Sequence, residues 1–318
     1  VMSWSPSYCG GEGAGRGDPQ CAPNRNYSFV LHGLWPQYTR GFPENCRTSF
    51  NPFVPRPVID GVLDPELWAN GRHIKLDRIS VAAEFEEFLR LCDEADCPLS
   101  GPRGASARYW SLDRALREQP LVFADGSIYP YDYLVADAVG AMYEPESWPE
   151  YAEFFAELIE AVRGDRAALA RAPALRASIL DRMKPDRTNY ENSFDAYYGN
   201  QCADTQYPRT LERFREVADY AEAGSIFGSY WWWQNAACAR WPVSADRFTG
   251  PWTARTSAPV LVVGNYFDGI TDYAGAVASS EFLENSRLLA YAGWGHTAYG
   301  RSECVTRYVD AYLLRGAL

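Results

Sequence analysis

Three histidines are the residues of this chain best suited to proton transfer near neutral pH. His32 lies in the run Phe29-Val-Leu-His-Gly-Leu-Trp-Pro36, and His296 lies in Gly293-Trp-Gly-His-Thr297. His73 is flanked by charged residues, and we interpret it as a surface residue or a satisfied core residue. His32 and His296 are the candidates for catalytic use, which also requires a partner for each ring.

Eight cysteines are the other reactive side chains, and their spacing matches no zinc site, since Cys92 and Cys97 are five residues apart. In a chain this acidic and aromatic they indicate an exported protein with disulfides, either secreted or periplasmic. The sequence predicts no metal and no cofactor. It opens on Val-Met-Ser-Trp, which is no signal peptide, so we expect any export signal to have been removed or to lie outside these residues.

Length, charge and composition limit the function further. The 318 residues suit two ordinary domains or one large one, with 47% hydrophobic and 22% charged residues. No run of about 18 apolar residues is present, so we expect no membrane span. The net charge of −11 argues against a general nucleic-acid or anionic-membrane binder. Residues 1–57 carry five Arg and three acidic residues, however, so their charge differs in sign from that of the remaining chain.

The elements that must position these residues change in type along the chain. Two strand-like runs, Val1–Trp4 and Tyr27–Leu31, stand among loops in residues 1–57. A buried-strand pattern at 258–264, a helix at 274–284, a strand at Arg287–Ala292 and a helix at 303–314 then predict parallel α/β architecture. Between these regions, hydrophobic periodicity predicts helices over 80–95, 108–119, 131–143, 148–163 and 207–223.

Residues 1–57 resemble the T-two family of secreted, base-non-specific ribonucleases. The matching runs are Ser3-Trp-Ser-Pro-Ser-Tyr-Cys9, Phe29-Val-Leu-His-Gly-Leu-Trp-Pro-Gln37 and Pro43-Glu-Asn-Cys46. The resemblance implies RNA cleavage through a 2′,3′-cyclic phosphate, with His32 as one of two proton-transferring histidines and Trp35 supporting the site. A second segment of the Glu-x-x-x-His-Gly type is absent, so we expect little or no ribonuclease activity.

Residues from about 58 to 318 resemble the tripeptidyl-aminopeptidase-like branch of the α/β-hydrolases. The matching runs include Val58-Ile-Asp-Gly-Val-Leu-Asp-Pro65, Cys238-Ala-Arg-Trp-Pro242 and Pro259-Val-Leu-Val-Val-Gly264. The resemblance implies a Ser, Asp, His triad in chain order, with Asp268 orienting the general base His296. The family usually has a proline directly after this Asp and another near position 272. This chain has Gly269 and Asp272 at these positions, and Asp272 is the alternative acid.

The nucleophile of such a triad belongs on a Gly-x-Ser-x-Gly turn between a strand and a helix, and no such motif occurs. Gly224-Ser-Ile-Phe-Gly228 has its serine one place early. We therefore expect Asp268 and His296 to lie close together without a serine hydroxyl within hydrogen-bond reach. From the same resemblance, Asp204 is a candidate to bind the substrate amine.

The two resemblances meet at residues 58–64, which fit both families, and the chain is therefore interpreted as a chimera. Natural fusion, laboratory recombination and a sequence-assembly error are all possible origins. A transcript spanning codons 58–64 would separate a natural fusion from an artefact.

Local disulfide bridges are expected for Cys9 with Cys21 and for Cys92 with Cys97. Cys46 would lack its partner, and one cysteine would be left over among Cys202, Cys238 and Cys304.

The predicted fold is α/β, a truncated α/β-hydrolase with a large helical cap, preceded by a β-rich partial ribonuclease segment. Its parts are residues 1–57, the join at 58–64, the cap at 65–255 and the hydrolase segment at 256–318. The predicted function is an exported, serine-peptidase-like hydrolase that lacks its nucleophile and acts on peptides. The alternatives are an acid endoribonuclease that binds RNA and a non-catalytic chimera. An incomplete sheet also predicts low stability.

Overall fold

A computed structural model describes residues 56–182, 193–242, 247–253 and 256–318, together with two short strands near the start of the chain. These strands, β1 (Met2–Trp4) and β2 (Phe29–Leu31), pair antiparallel and lie within the two strand-like runs of the sequence. The remaining predictions for this segment concern residues outside the described ones, namely His32, Trp35, Cys9, Cys21 and Cys46, and stay predictions.

Helices dominate residues 65–240. They are α1 (Pro65–Ala69), α2 (Ile74–Glu94), α3 (Gly104–Glu118), α4 (Tyr131–Ala141), α5 (Trp148–Val162), α6 (Arg166–Arg182), α7 (Ser193–Asp204), α8 (Leu211–Glu222) and α9 (Tyr230–Gln234). Short 3-10 helices occupy Pro145–Ser147 and Asn235–Arg240. The strands β4 (Leu121–Val122) and β5 (Ile128–Tyr129) form a small antiparallel hairpin.

The described part of the central sheet has the order β3-β6-β7 and is parallel throughout. Its strands are β3 (Val58–Asp60), β6 (Val260–Phe267) and β7 (Ser286–Trp294). The connection from β6 to β7 contains α10 (Tyr273–Phe282), and α11 (Glu303–Arg315) follows β7. This confirms the parallel pairing that the strand–helix–strand–helix pattern predicts.

Strand β6 is buried on both faces, as expected of an inner parallel strand. Leu261 and Val263 pack with residues of α11, whereas Val260 and Val262 pack with Ala276 of α10. Gly264 permits the close approach of α10, because a Cβ atom built there would lie 2.5 Å from Cβ of Ala276. The contact fixes the helix against the strand that leads into the candidate site.

Aromatic side chains fill the core of the helical region. The Phe85 ring lies 4.5 Å from the Tyr109 ring and 5.2 Å from the Phe227 ring, measured between centroids. A second cluster surrounds Trp232, whose ring lies 4.9 Å from that of Phe214. The first cluster joins α2 to the helices after it, whereas Ile74 at the start of α2 belongs to the second cluster, so both clusters hold α2 in place.

Most of the predicted elements lie within a few residues of the observed ones, but four helices were not predicted. Helix α6 contains Pro173, a residue that normally ends or kinks a helix. Helices α1 and α9 have only five residues each, too few for hydrophobic periodicity to show. The predicted helix over 207–223 begins only at Leu211, because the Thr210 side chain caps it by accepting a hydrogen bond from the Arg213 N–H.

Two disulfides occur among the described cysteines. Cys92–Cys97 is the expected local bridge, and Cys202–Cys238 joins α7 to the second 3-10 helix. Cys304 is therefore the cysteine left over among the last three, and it is exposed and unbridged. None of the described helices is both long and apolar enough to cross a membrane.

Candidate active site

Asp268 and His296 lie at the carboxyl ends of two neighbouring parallel strands. Asp268 directly follows β6, and His296 lies two residues beyond β7. Because both strands run in the same direction, their following loops meet at one edge of the sheet. The helix and strand between the two residues thus bring together side chains 28 positions apart in the sequence.

The imidazole of His296 faces the Asp268 carboxyl group. Its Nδ1 lies 3.3 Å from Oδ2 and 3.4 Å from Oδ1 of Asp268. The Asp268 side chain is only 2% exposed and the His296 side chain 26%, so the acid is enclosed while the ring reaches the surface of a cavity. A proton on Nδ1 fits this geometry, because the carboxyl oxygens accept, and it leaves Nε2 free to act as a base.

The turn after β6 holds the Asp268 carboxyl in place. Its Oδ1 accepts hydrogen bonds from the N–H groups of Ile270 and Thr271, at 2.9 and 2.8 Å. Its Oδ2 accepts from the Thr271 hydroxyl at 2.8 Å, and this hydroxyl also lies 3.3 Å from Nδ1 of His296. Asp272, the alternative acid, instead caps α10 by accepting from the Ala274 N–H at 2.7 Å.

The loop that carries His296 is held from several sides. The buried Asn265 amide donates to the carbonyl groups of Gly295 and Thr297, at 2.7 and 2.9 Å, and so ties down both neighbours of the histidine. The His296 N–H donates to the Tyr143 carbonyl at 3.2 Å, which links the loop to the helical region. Thr297 has a φ of +67°, an unusual value for a β-branched residue that these contacts maintain.

Glu84 of α2 bonds to both loops at once. Its Oε2 accepts from the Gly269 N–H and its Oε1 from the Gly295 N–H, each at 2.8 Å. The side chain is fully buried, and this burial raises the pKa of Glu84 to about 9, although the two N–H groups act in the opposite direction. Burial thus favours the protonated carboxyl, and both of its oxygens retain acceptor capacity in that form.

A cavity of about 200 Å³ lies beside the exposed edge of His296. The residues lining it come from the sheet edge and from the helices above it, and none of them is Asp, Glu, Lys or Arg. They are Gly61, Leu63, Trp68, His73, Tyr143, Tyr197, Gln201, Trp231, Asn235, Ile270, Thr271 and His296. Its aromatic and uncharged walls suit an uncharged organic group better than an ion.

Asp204 is the other predicted site residue among the described ones, whereas His73, which lines the same cavity as His296, was expected to have no catalytic role. Asp204 ends α7 and does not line the cavity, although Tyr197 and Gln201 of the same helix do. Burial raises the pKa of Asp204 above its usual value, and the charge of Arg247 opposes part of this rise.

His73 is buried among aromatic rings. Its ring centroid lies 4.5 Å from that of Trp68, and burial lowers the pKa of His73 to about 4. It is thus a core residue rather than a surface one.

Within the described residues, no hydrogen bond joins a serine hydroxyl to His296. The hydroxyl groups of Ser80 and Ser279 donate to the carbonyl groups of Gly269 and Leu63. The same part of the chain contains no group of three or more His, Cys, Asp or Glu residues placed to hold a metal ion.

Three supporting residues were missed by sequence reasoning. Glu84 and Asn265 are described above, and the Asp60 carboxyl accepts hydrogen bonds from the N–H groups of Ala298 and Tyr299 at 2.9 and 2.8 Å. A signal did exist for two of them. Glu84 lies on the apolar face of α2, and Asn265 continues the apolar run of β6. A polar residue in such a position is expected to be buried and therefore to need hydrogen-bond partners.

The parallel sheet flanked by helices, with an Asp–His pair at the ends of adjacent strands, is similar to the arrangement found in α/β-hydrolases. Residues 223–318 match the family of TAP-like proteins. Tripeptidyl aminopeptidases of Streptomyces lividans and Streptomyces coelicolor are each 29% identical to this chain over 304 residues. The aligned part is 92% of this chain and 52% of each relative. The chain thus spans about half the length of these curated relatives.

A ribonuclease of Aeromonas hydrophila is 53% identical over 46 residues, which is 14% of this chain and 20% of that protein. The predicted resemblance to two families is therefore confirmed, with the peptidase resemblance covering most of the chain and the ribonuclease resemblance a short part.

Proposed function

We propose that this chain is a serine-peptidase-like hydrolase of the tripeptidyl-aminopeptidase type that binds peptides but forms no acyl-enzyme. The observation that carries the proposal is the contact between His296 Nδ1 and the enclosed Asp268 carboxyl, 3.3 Å apart at the end of a parallel sheet. In a serine hydrolase this pair holds the imidazole so that its other nitrogen can take a proton from the nucleophile. The resemblance to two tripeptidyl aminopeptidases supports a peptide as the ligand.

The missing component is the attacking oxygen. The 318 residues contain no Gly-x-Ser-x-Gly motif. Among the described residues, the Thr271 hydroxyl lies near His296, but on the Nδ1 side of the ring, where it donates to Asp268. We therefore expect the imidazole to activate only water, without a covalent intermediate and without the backbone oxyanion site that accompanies the nucleophile turn. Loss of one oxyanion donor alone lowers turnover by about 10²–10³. We therefore expect peptide binding with negligible hydrolysis.

Covalent labelling tests the absence of a nucleophile. The protein is treated with a fluorophosphonate probe and analysed by intact-mass spectrometry, together with His296→Ala and Asp268→Asn. We expect no adduct in any of the three proteins and no burst with a tripeptide p-nitroanilide. Stoichiometric labelling of one serine, lost in His296→Ala, would instead reveal a substitute nucleophile and contradict the proposal.

Peptide binding can be measured independently of hydrolysis. Trp231 lines the cavity, whereas Trp233 of the same helix is 40% exposed and is not among the lining residues. Calorimetry with a tripeptide amide whose side chains are uncharged should show binding that Trp231→Ala weakens about tenfold, or ~1.4 kcal/mol. The matched variant Trp233→Ala should bind as the unaltered chain does. Equal effects of the two substitutions would place the peptide elsewhere.

Export to an oxidising compartment is part of this proposal. The bridges Cys92–Cys97 and Cys202–Cys238 support it, because disulfides persist in secreted and periplasmic proteins.

The second candidate function is acid endoribonuclease activity, which the match to the Aeromonas hydrophila ribonuclease favours. His32 would supply one of the two proton-transferring rings, but the sequence lacks the segment that supplies the second. We expect no cleavage of RNA homopolymers at mildly acid pH, assayed beside His32→Ala. Robust cleavage that this substitution abolishes would make the ribonuclease the correct function.

A further inference from the structure

Glu84 is a buried acid that neither the sequence resemblance nor the proposed reaction uses. It lies on α2, where the neighbouring side chains of Val81, Phe85 and Phe88 enter the apolar core. The carboxyl group is fully buried, and its hydrogen-bond partners are backbone N–H groups rather than a cation. Burying a carboxyl group in an apolar core costs free energy unless its oxygens accept hydrogen bonds.

The two N–H groups that it binds belong to the two loops of the candidate site. Gly269 is the residue after Asp268, and Gly295 is the residue before His296. The Gly295 N–H is shared, since the Phe267 carbonyl also accepts from it at 2.9 Å. One side chain therefore connects the neighbours of both members of the pair, although the loops lie 185 and 211 positions away in the sequence.

The surroundings of Gly269 are shaped to this contact. The Ser80 hydroxyl, one helical turn before Glu84, donates to the Gly269 carbonyl at 3.0 Å, so α2 holds the residue at both its N–H and its C=O. A Cβ atom at Gly269 would lie 2.8 Å from Glu84 Oε2 and 3.0 Å from the Val81 Cα. Only a glycine lets the loop come this close to the helix.

We propose that Glu84 is a positioning residue that fixes the separation of the two loops and thereby holds His296 Nδ1 against Asp268. A carboxyl group suits the task because both of its oxygens can accept a hydrogen bond, whereas an amide has one accepting oxygen and a nitrogen that only donates. The inference uses the proposed function only for the role of the Asp268–His296 pair. Its geometric content is independent of whether a nucleophile exists.

The test is the tautomer of the His296 ring in the full chain, read by ¹⁵N–¹H correlation spectra of ¹⁵N-histidine-labelled protein at a pH where the ring is neutral. The signals of His296 are assigned by comparison with His296→Asn. In the unaltered chain we expect a single Nδ1–H tautomer. In Glu84→Gln a nitrogen that cannot accept a hydrogen bond faces one of the two N–H groups, and we expect the single tautomer to be lost to a mixture of two.

Ser80→Ala is the matched control, because it removes a contact to the same glycine on the same face of α2 and leaves both N–H bonds of Glu84 intact. We expect this variant to keep the single tautomer. A folded Glu84→Gln protein with the tautomer of the unaltered chain would overturn the proposal. So would an equal loss in Ser80→Ala, which would show that any disturbance of α2 has the same effect.

A measurement on the unaltered chain decides the question even where Glu84→Gln does not fold. If Glu84 holds both loops, the amide protons of Gly269 and Gly295 exchange slowly with solvent. Exchange of either amide at the rate of an unstructured peptide would overturn the proposal. Neither readout depends on covalent labelling, so failure of the positioning role and failure of the proposed function are distinguishable.

Discussion

The helical region and the edge of the sheet each bury a carboxyl group, and they compensate for it differently. In the helical region, Asp137 Oδ2 lies 2.7 Å from Arg176 Nε and accepts from the Tyr129 hydroxyl at 2.8 Å. At the sheet edge, Glu84 has two backbone N–H groups and no cation among its hydrogen-bond partners. Burial raises the pKa of both acids, but only Asp137 has an ion pair that opposes the rise.

The difference separates two uses of a buried acid. Asp137 joins α4 to α6 through a guanidinium group, an arrangement that depends on the charge of both partners. Glu84 joins two loops through their backbones and depends on the number of accepting oxygens rather than on charge. Substitutions and pH should therefore affect the two regions in different ways.

Removal of the cation should have the largest effect. Arg176→Ala leaves the Asp137 carboxyl buried without its ion pair, and we expect it to lower the free energy of unfolding by about 3–5 kcal/mol. Urea denaturation followed by circular dichroism measures this change. Arg171→Ala, on the same helix, removes an exposed pair with Glu157 and should cost less than about 1 kcal/mol. Similar losses in the two variants would show that Asp137 does not depend on its cation.

The pH dependence of stability should come from Glu84 between pH 6.5 and 9. With its pKa raised to about 9, the folded chain holds a proton there that the unfolded chain has released, so stability should fall as pH rises. The slope is at most about 1.4 kcal/mol per pH unit for one proton. His73, with its pKa lowered to about 4, acts with the opposite sign and only below pH 6.5.

Urea titrations at several pH values check this slope in the unaltered chain and in Glu84→Gln, which has no group to ionise. The variant should be nearly flat over the same interval. A slope that persists in Glu84→Gln would assign the proton to another group and remove the contrast with Asp137.

Loss of the neutral partner of Asp137 should have the smallest effect. Tyr129→Phe removes one hydrogen bond and leaves the Arg176 pair, so we expect a loss of about 1–2 kcal/mol in the free energy of unfolding. Tyr133→Phe is the control, since Tyr133 is 42% exposed. If Tyr129→Phe proved as costly as Arg176→Ala, the hydroxyl rather than the cation would be the main support of the acid.

The sequence predicts the Asp268–His296 pair because strand ends carry local signals, namely an apolar run followed by a turn, and because the resemblance names the residue types. It does not predict the contacts of Glu84, since backbone N–H groups of distant loops leave no trace in residue type. The partner of Cys202 was likewise left open among three cysteines, because pairing depends on which helices meet in space. The sequence does not predict helix α6, because Pro173 interrupts its hydrophobic periodicity.

The contact of Gly264 with Ala276 has a consequence for how this chain can change over generations. Space exists for one methyl group between β6 and α10, and it is taken by the helix. A methyl added at Gly264 alone would collide with Ala276, whereas the exchange Gly264→Ala with Ala276→Gly would remove that collision and leave a tight contact of 3.1 Å with the Tyr273 ring. The two positions are thus epistatic: neither can be judged tolerant or intolerant of alanine without knowing which residue occupies the other.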